Sequence, residues 1–223
     1  MGENILRLIK PADIITLINA LLGFFSIILI IQGQFEGALV VILIAVIADG
    51  ADGAVARYTG YGTLGANLDS LADVISFGVA PAVAAFVYLN GSGIFPGLFL
   101  VCGMLRLARF NVAGKKDSFE GIPITSAGFL VALFLLARDY IPYVEYAFSL
   151  LLVIISLLMV STIGYPKLKS PAILAPMGIL LVLDIVVFYF GYPDMAKIAS
   201  LILLVLVCAY ILSPLGRRFY GRS

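Results

Sequence analysis

Most of this 223-residue chain consists of apolar segments about 20 residues long, separated by short breaks that are polar or contain glycine and proline. Hydrophobic residues make up 62% of the chain and charged residues 12%, which is too apolar for a water-soluble domain. A helix of about 20 residues spans the hydrocarbon core of a bilayer. The sequence therefore predicts an all-α integral membrane protein, with residues 1–223 forming a single domain.

We predict eight membrane helices, with the breaks in the apolar pattern marking their ends. They cover residues 13–32, 36–58, 64–89, 94–113, 123–140, 145–164, 171–190 and 195–213. Residues 1–12 mix apolar and basic side chains in a pattern typical of a short helix at the membrane surface. Residues 214–223 are predicted to form a basic tail after the last helix.

The basic residues predict how these helices are oriented. With a cytoplasmic N-terminus, only Arg138 and Lys197 of the 14 basic residues fall on the outer side. The others fall on the cytoplasmic side, as the positive-inside rule requires: Arg7, Lys10, Arg57, Arg106, Arg109, Lys115, Lys116, Lys167, Lys169, Arg217, Arg218 and Arg222. We therefore expect a multi-pass protein of the cell membrane with both termini in the cytoplasm. Because the basic residues form no patch, nucleic acid is not an expected partner.

Four aspartates interrupt the apolar pattern in the second and third predicted helices. Asp49 and Asp52 are three residues apart and Asp69 and Asp73 four apart, so each pair lies on one helix face. Two facing helices would direct all four carboxylates into one space at the cytoplasmic membrane face, where they need cations to stay ionised. Oxygen ligands suit Mg²⁺, Mn²⁺ or Ca²⁺ rather than zinc, and the chain has no histidine for a zinc site or a histidine base.

Small residues and one arginine accompany these acids. Gly53, Ala56 and Gly65 lie on the same helix faces, where they let a flat or bulky group approach the backbone, and Arg57 adds a positive charge. Simple packing between membrane helices is the alternative interpretation of such small residues. Beside the carboxylates and the arginine, they indicate a nucleoside diphosphate bound through bridging metal ions.

The whole run resembles the signature of the CDP-alcohol phosphotransferases. It reads Asp49-x2-Asp52-Gly53-x2-Ala56-Arg57-x7-Gly65-x3-Asp69-x3-Asp73, one residue shorter between arginine and glycine than is usual in that family. The shortening lies in loop 58–64, so we expect it to change the loop without moving the acids. Further segments resemble the membrane-embedded phosphatidylserine synthases of this family: LDSLADVISFGVAPA at 68–82, RLARFN at 106–111, LMVST at 158–162 and Pro11-x4-Thr16-x2-Asn19.

The resemblance implies transfer of a phosphatidyl-type group from a CDP-lipid to the hydroxyl of L-serine, which releases CMP and forms phosphatidylserine or its archaeal ether analogue. It implies Mg²⁺ or Mn²⁺ as the cofactor, with two ions held by Asp49, Asp52, Asp69 and Asp73, and Asp73 as the catalytic base. It also implies a homodimer. The nucleotide is expected to contact residues of the first three helices: Thr16, Asn19, Asp52, Gly53, Ala56, Arg57 and Gly65.

Serine would need a cation for its carboxylate on the same membrane face as the acids. The candidates for this acceptor or lipid-phosphate site lie at and beyond the cytoplasmic end of the fourth predicted helix: Arg106, Arg109, Asn111 and Lys116. Arginines at this depth also serve as anchors whose charged ends reach the membrane surface, which is the alternative.

Two other functions remain open at this point. The same chemistry would work with another acceptor alcohol, inositol phosphate or glycerol phosphate. A cation-coupled transporter also uses intramembrane acids, but it would distribute them over repeats around the bilayer centre, and the sequence has no second copy of the acidic run. Asp184, in the seventh predicted helix, is expected only to pack or to contact a second subunit, and the apolar helices accept diacylglycerol or archaeal ether lipids.

Overall fold

The computed structural model describes residues 4–60, 62–113, 119–165 and 171–220. The described chain is a bundle of α-helices. The helices are α1 (Ile5–Leu8), α2 (Pro11–Ile31), α3 (Phe35–Thr59), α4 (Gly65–Asp73), α5 (Ala80–Tyr88), α6 (Ile94–Ala113), α7 (Ile124–Leu136), α8 (Val144–Val160), α9 (Pro171–Tyr189) and α10 (Pro193–Tyr220). A π-helical turn, Val74–Val79, joins α4 to α5 without a break, and two short strands, β1 (Phe119–Glu120) and β2 (Gly164–Tyr165), form an antiparallel pair.

Five helices in the described part of the chain are long and apolar enough to cross a membrane. They are Pro11–Ile31, Phe35–Thr59, Gly65–Tyr88, Ile94–Val112 and Pro193–Leu212. This confirms the predicted all-α class and supports insertion into a membrane. The other three predicted spans correspond to shorter apolar helices, Ile124–Leu136, Val144–Val160 and Ala175–Tyr189, so the number of eight stays a prediction.

Three element boundaries differ from the prediction for local reasons. The surface helix is a single turn, Ile5–Leu8, because Pro11 is well suited to the first turn of the next helix and begins α2. Helix α7 ends at Leu136, where a 3₁₀ turn, Arg138–Tyr140, replaces the predicted last helical turn. Helix α10 continues to Tyr220, so most of the predicted tail is helical.

Helix α7 lies in the core of the bundle. All of its side chains at 127–136 are buried, as expected for a helix that is apolar around its whole circumference. It packs against α3, α10 and the π-helical turn. Gly128 allows the closest approach, because a Cβ at this position would lie 2.8 Å from the Cα and the carbonyl oxygen of Phe77.

Helices α2 and α3 form an antiparallel pair that carries half of the acidic site. The chain reverses at Gly33, whose φ of 78° favours glycine. Ser26 of α2 then donates a hydrogen bond of 2.9 Å to the carbonyl oxygen of Ala38 in α3. Residues 38–43 of α3 are buried in the core, so this helix is firmly held before it reaches its acidic second half.

The π-helical turn is attached directly to α2. Ser76 in this turn donates a hydrogen bond of 2.7 Å to the carbonyl oxygen of Asn19. Gly23, one turn further along α2, allows this contact, because a Cβ there would lie 2.6 Å from the Cα of Ser76. Asp73 is the last residue of α4 and directly precedes the turn, so the contact holds the backbone next to this residue. Single π-helical turns often occur at functional sites.

Gly23→Ala is expected to lower the melting temperature and the activity together. The added methyl group would collide with backbone atoms of Ser76, and overpacking of this kind costs about 1–3 kcal/mol. Gly37→Ala is the matched control, because a Cβ on this helical glycine of α3 would have nothing within 4 Å. Thermal unfolding in detergent measures the melting temperature, and an assay of the CMP release that the resemblance implies measures the activity. Equal stability and activity of the two variants would contradict the importance of this contact.

Charged residues join three helix ends at the end of α3 that is remote from its aspartates. Arg138 pairs with Glu36 at 3.0 Å, and Lys197 pairs with Asp139 at 2.6 Å. The hydrogen bond from Lys197 holds the pKa of the Asp139 carboxyl below its usual range. The two basic residues that were predicted on the outer side therefore lie in one cluster, whose partial exposure limits the contribution of each pair to stability.

Asp184 has a partner within the same chain. Its side chain is fully buried, and its Oδ2 accepts a hydrogen bond of 2.7 Å from the hydroxyl of Ser200. The bond joins α9 to α10, which satisfies one oxygen of an acid that would otherwise be costly within a membrane. Sequence reasoning did not identify this serine, because nothing in the apolar pattern of α10 indicates which face meets α9.

Candidate active site

Three of the four predicted metal-binding aspartates come together between α3 and α4. Asp49, Asp69 and Asp73 each contribute one carboxylate oxygen to a group in which these atoms lie within 4.8 Å of one another. Asp73 is the most buried, with 7% of its surface exposed. Its Oδ1 accepts no hydrogen bond from any residue that the structure describes.

Asp52 lies beside this group and is held by helix α2. It is 6% exposed, and its Oδ2 accepts a hydrogen bond of 2.7 Å from the hydroxyl of Thr16. Thr16 was predicted to contact a nucleotide, and the structure adds that it positions one of the acids. The fourth aspartate therefore borders the group of three without belonging to it.

The donor set fits a divalent cation of the Mg²⁺ or Mn²⁺ type. Three close carboxylates repel one another, and the buried Oδ1 of Asp73 is costly without a partner. A bound cation removes both costs, and a set of ligands made only of oxygen atoms favours hard ions. Asp49, Asp69 and Asp73 would hold such an ion, with Asp52 next to them.

A cavity of about 310 Å³ lies beside the acids. Asp49, Asp52 and Asp69 line it together with many small side chains. Five of the seven predicted nucleotide contacts are among the lining residues: Thr16, Asp52, Gly53, Ala56 and Gly65. The structure thus brings most of the predicted nucleotide site and three of the four acids to one cavity, and Asp73 is not among the lining residues.

The remaining two predicted nucleotide contacts do not line the cavity. Arg57 is exposed near the end of α3, with its Nη1 3.8 Å from the place where a Cβ of Gly53 would be. Asn19 is fully buried one turn after Thr16, and its side-chain amide has no partner in the described part of the chain. Arg57 can therefore reach a ligand at the cavity edge, whereas Asn19 lies deeper.

Among the residues predicted for the acceptor site, Arg106 is a buried cation. Its side chain is 6% exposed, and its charge interacts with that of Asp73. The guanidinium lies over the ring of Phe110, with 5.5 Å between its Cζ and the ring centroid. It makes no hydrogen bond or ion pair to the residues that the structure describes, and it is not among the residues that line the cavity.

Arg109, by contrast, has most of its donors engaged. Its Nη1 and Nη2 donate hydrogen bonds of 2.8 to 3.2 Å to four backbone carbonyl oxygens, those of Glu120, Met159, Val160 and Ser161. These bonds join α6 to the end of α8 and to β1. Asn111 exchanges hydrogen bonds with Ser70, with Nδ2 to Oγ at 3.0 Å, and lines the cavity. Lys116 lies outside the described residues.

Sequence reasoning missed three residues of this site. Asp13 is 1% exposed and lines the cavity, as does Phe110. Thr125, at the start of α7, interacts through its side chain with Asp49. An acid in the first turn of a helix usually caps that helix, so Asp13 carried no distinct signal. Thr125 lies more than 50 residues after the acidic run, so the spacing of that run gave no signal for it.

Comparisons with known proteins agree with this site. A model of the family described as CDP-alcohol phosphatidyltransferase matches residues 10–163. A protein of Methanothermobacter thermautotrophicus named archaetidylserine synthase is 39% identical over 179 residues, which are 75% of this chain and 74% of that protein. Two proteins named CDP-diacylglycerol–serine O-phosphatidyltransferase also match. The protein of Methanocaldococcus jannaschii is 36% identical, and the match covers 89% of this chain and 92% of that protein. The protein of Helicobacter pylori is 37% identical, and the match covers 71% of this chain and 72% of that protein. Since the family match includes all four aspartates and the cavity around them, the chain belongs to the CDP-alcohol phosphatidyltransferase family.

Proposed function

We propose that this protein transfers a phosphatidyl-type group from a CDP-lipid to the hydroxyl of L-serine, releasing CMP. The observation that carries the proposal is the group of three aspartates within 4.8 Å beside a cavity in a member of this family. The choice of serine is supported by the relatives, which are named serine phosphatidyltransferases and archaetidylserine synthase. Mass spectrometry of the lipid product, with CMP measured in parallel, tests the reaction.

The four aspartates bind the metal cofactor, which we propose to be two Mg²⁺ or Mn²⁺ ions. When bound, these ions neutralise the diphosphate and the charge that develops on the departing CMP. Asp49, Asp69 and Asp73 supply the central ligands, and Thr16 orients Asp52 towards the same space. Buried and half-buried carboxylates held by packed helices lose little freedom on binding, which favours a rigid site.

The cavity takes the cytidine diphosphate part of the donor lipid. Gly53, Ala56 and Gly65 provide a wall without bulky side chains, which allows a flat or bulky group to approach the backbone. Arg57 at the cavity edge is placed to hold a phosphate oxygen. Asn19 supports this part of the site through its backbone contact with Ser76.

Asp73 acts as the catalytic base in this proposal. The serine hydroxyl oxygen forms a bond to the phosphorus that carries the lipid, and the bond from that phosphorus to the oxygen of CMP breaks. Asp73 accepts the hydroxyl proton, so the serine oxygen attacks as an alkoxide-like nucleophile. Its unpaired buried oxygen and its electrostatic interaction with Arg106 suit this role.

Arg106→Ala is expected to raise the KM for serine by about 10- to 100-fold, with a much smaller change for CDP-lipid. The reason is that its buried guanidinium makes no hydrogen bond to the described residues and its charge interacts with that of Asp73. Arg109→Ala is the variant for comparison, since loss of four hydrogen bonds to backbone carbonyls should lower the melting temperature more than it changes the KM for serine. Initial rates at a series of serine concentrations and at a series of CDP-lipid concentrations give the two KM values. A larger rise in the lipid KM for Arg106→Ala would assign this arginine to the lipid phosphate.

The arrangement in the membrane is part of the same proposal. We place the acids and both termini on the cytoplasmic side, across eight spans, because the basic residues follow that orientation. Asn111 would then border the acceptor site on this side, and Lys116 stays a candidate for it from its place in the sequence. We also propose a homodimer, which light scattering of the purified protein in detergent tests directly.

A further inference from the structure

The side-chain amide of Asn19 is buried in the helix bundle, and the proposed reaction does not use it. The residue is 0% exposed, and neither its Oδ1 nor its Nδ2 makes a hydrogen bond to the described part of the chain. Buried polar atoms in proteins are nearly always hydrogen-bonded, either to the protein or to ordered water. Since the amide carries both a donor and an acceptor, its partner has to supply both.

Two hydrogen bonds place Asn19 next to the acids. Thr16, one turn before it on α2, donates to Asp52 at 2.7 Å. The carbonyl oxygen of Asn19 itself accepts the 2.7 Å hydrogen bond of Ser76, which follows Asp73 by three residues in a continuous helical run. Three residues rise by about 5 Å along a helix. Asn19 and Asp73 therefore differ by about one turn in depth within the bundle.

Water is the partner that suits this place. Asn19 has no exposed surface and does not line the cavity, so its partner is a small and enclosed molecule. Oδ1 of Asp73 is a second buried oxygen that accepts no hydrogen bond from the described residues. A water molecule can accept from Nδ2 of Asn19 and donate to both Oδ1 atoms, which gives it the number of hydrogen bonds typical of a buried water, about three. A carboxylate oxygen accepts more than one partner, so this water leaves room for a cation at Asp73.

We infer that Asn19 holds an ordered water molecule against the carboxylate of Asp73 and is thereby a positioning residue for the proposed base. The inference rests on the proposed function, since it requires Asp73 to accept the proton of the serine hydroxyl. A base is effective only when its carboxylate lies within hydrogen-bond distance of that hydroxyl. The water holds the carboxylate from the side of α2, which limits rotation of the side chain before serine binds.

Asn19→Leu tests the role of the amide. Leucine has about the same size and removes both polar atoms, so it displaces the water without leaving a buried amide unpaired. The expected result is a kcat lower by about 10- to 100-fold, because a small displacement of a catalytic group costs about that much. The KM values for serine and CDP-lipid should stay within about threefold of the parent, and the melting temperature should stay the same or rise.

Two further variants are matched to this one. Asn19→Ser keeps a hydroxyl and has a smaller side chain that admits a second water, so it should recover most of the kcat that Asn19→Leu loses. Ser156→Ala is the control for removal of a buried polar group. The hydroxyl of Ser156 donates to the carbonyl oxygen of Leu152 in the same helix at 2.6 Å and does not line the cavity, so kcat should stay within about threefold of the parent.

An experimental structure of the parent that resolves ordered water tests the inference without any variant. Density for a water molecule is expected within hydrogen-bond distance of both Nδ2 of Asn19 and Oδ1 of Asp73. A direct hydrogen bond from Asn19 to another side chain, or the lack of density between these two atoms, would overturn the inference.

The kinetic outcomes separate this inference from the function on which it rests. A parent that releases no CMP from CDP-lipid with any acceptor overturns the proposed function, while the density still reports on the water itself. In an active enzyme, a folded Asn19→Leu with the kcat of the parent overturns the inference alone. A joint fall of melting temperature and kcat in both Asn19 variants also overturns it, because it shows a structural role. A rise in the lipid KM at unchanged kcat does the same and assigns Asn19 to the nucleotide.

Discussion

Chelation of divalent cations is expected to reduce CMP release by the purified protein to the background rate. Asp49, Asp69 and Asp73 cannot neutralise a diphosphate by themselves, because they carry the same sign of charge as the substrate. The sequence contains no histidine; among the described basic residues, Arg106 interacts electrostatically with Asp73, and Lys10 and Arg57 lie near glycines of the cavity wall. Addition of Mg²⁺ or Mn²⁺ should restore the rate, whereas Zn²⁺ should do so poorly at a site of oxygen ligands.

The control for this experiment is the same chelator already saturated with Mg²⁺, which should leave the rate unchanged. Thermal unfolding with and without Mn²⁺ provides an independent readout, since an ion that binds the folded state raises its melting temperature. Full activity in excess free chelator would contradict the assignment of the aspartates as a metal site.

Asp73→Asn is expected to lower kcat by about 10²–10⁴-fold, the usual contribution of a general base. The substitution keeps the shape of the side chain and removes its ability to accept the hydroxyl proton. Most of the affinity for CDP-lipid should remain, because Asp49, Asp52 and Asp69 still line the cavity. Asp49→Asn, in contrast, should mainly weaken the binding of metal and nucleotide.

Asp184→Asn is the matched control for Asp73→Asn. Asp184 is also a buried aspartate within a helix, but it pairs with Ser200 between α9 and α10 and does not line the cavity. Its amide can still accept the Ser200 hydrogen bond, so turnover should stay within about threefold of the parent. A rate for Asp73→Asn equal to that of the parent would refute its role as base.

The acidic part of the site could be predicted from sequence because helical spacing is a local property. Asp49 and Asp52 share one helix face and Asp69 and Asp73 another, so only the facing of α3 and α4 had to be assumed. The contribution of α2 was only partly visible. Thr16 was singled out by its position, but its hydrogen bond to Asp52 depends on how α2 and α3 pack.

Roles that depend on distant parts of the chain could not be predicted in this way. From the sequence, Arg106 and Arg109 were equivalent candidates for the acceptor site, because they lie about one turn apart on the same predicted helix. The structure separates them, because Arg109 bonds to the end of α8 more than 50 residues later, whereas the charge of Arg106 interacts with that of Asp73. Asp13 was missed for the same reason, since it lines the cavity next to Gly62, which belongs to a loop much later in the chain.

The fold was predictable at the level of apolar segments but less so at their ends. Hydropathy identifies a segment and its approximate length, which is why α2 and α3 begin and end within a few residues of the prediction. It does not report the direction of the chain after an apolar run, so the early end of α7 and the 3₁₀ turn at Arg138–Tyr140 were missed. The π-helical turn after Asp73 was also missed, because hydropathy does not distinguish it from an α-helix and its bond from Ser76 to α2 joins distant parts of the chain.

The central claim is that serine accepts the lipid phosphate from a CDP-lipid at this aspartate site. The most direct measurement is CMP release by the purified protein with Mg²⁺ or Mn²⁺ and CDP-lipid, carrying either diacyl or archaeal ether tails, in the presence of different alcohols. We predict that L-serine supports release at least about tenfold faster than glycerol 3-phosphate or inositol phosphate, because we propose that Arg106 binds the serine carboxylate. Faster release with either of the other two alcohols would contradict the assignment of serine, and no release with any of them would contradict the proposed reaction itself.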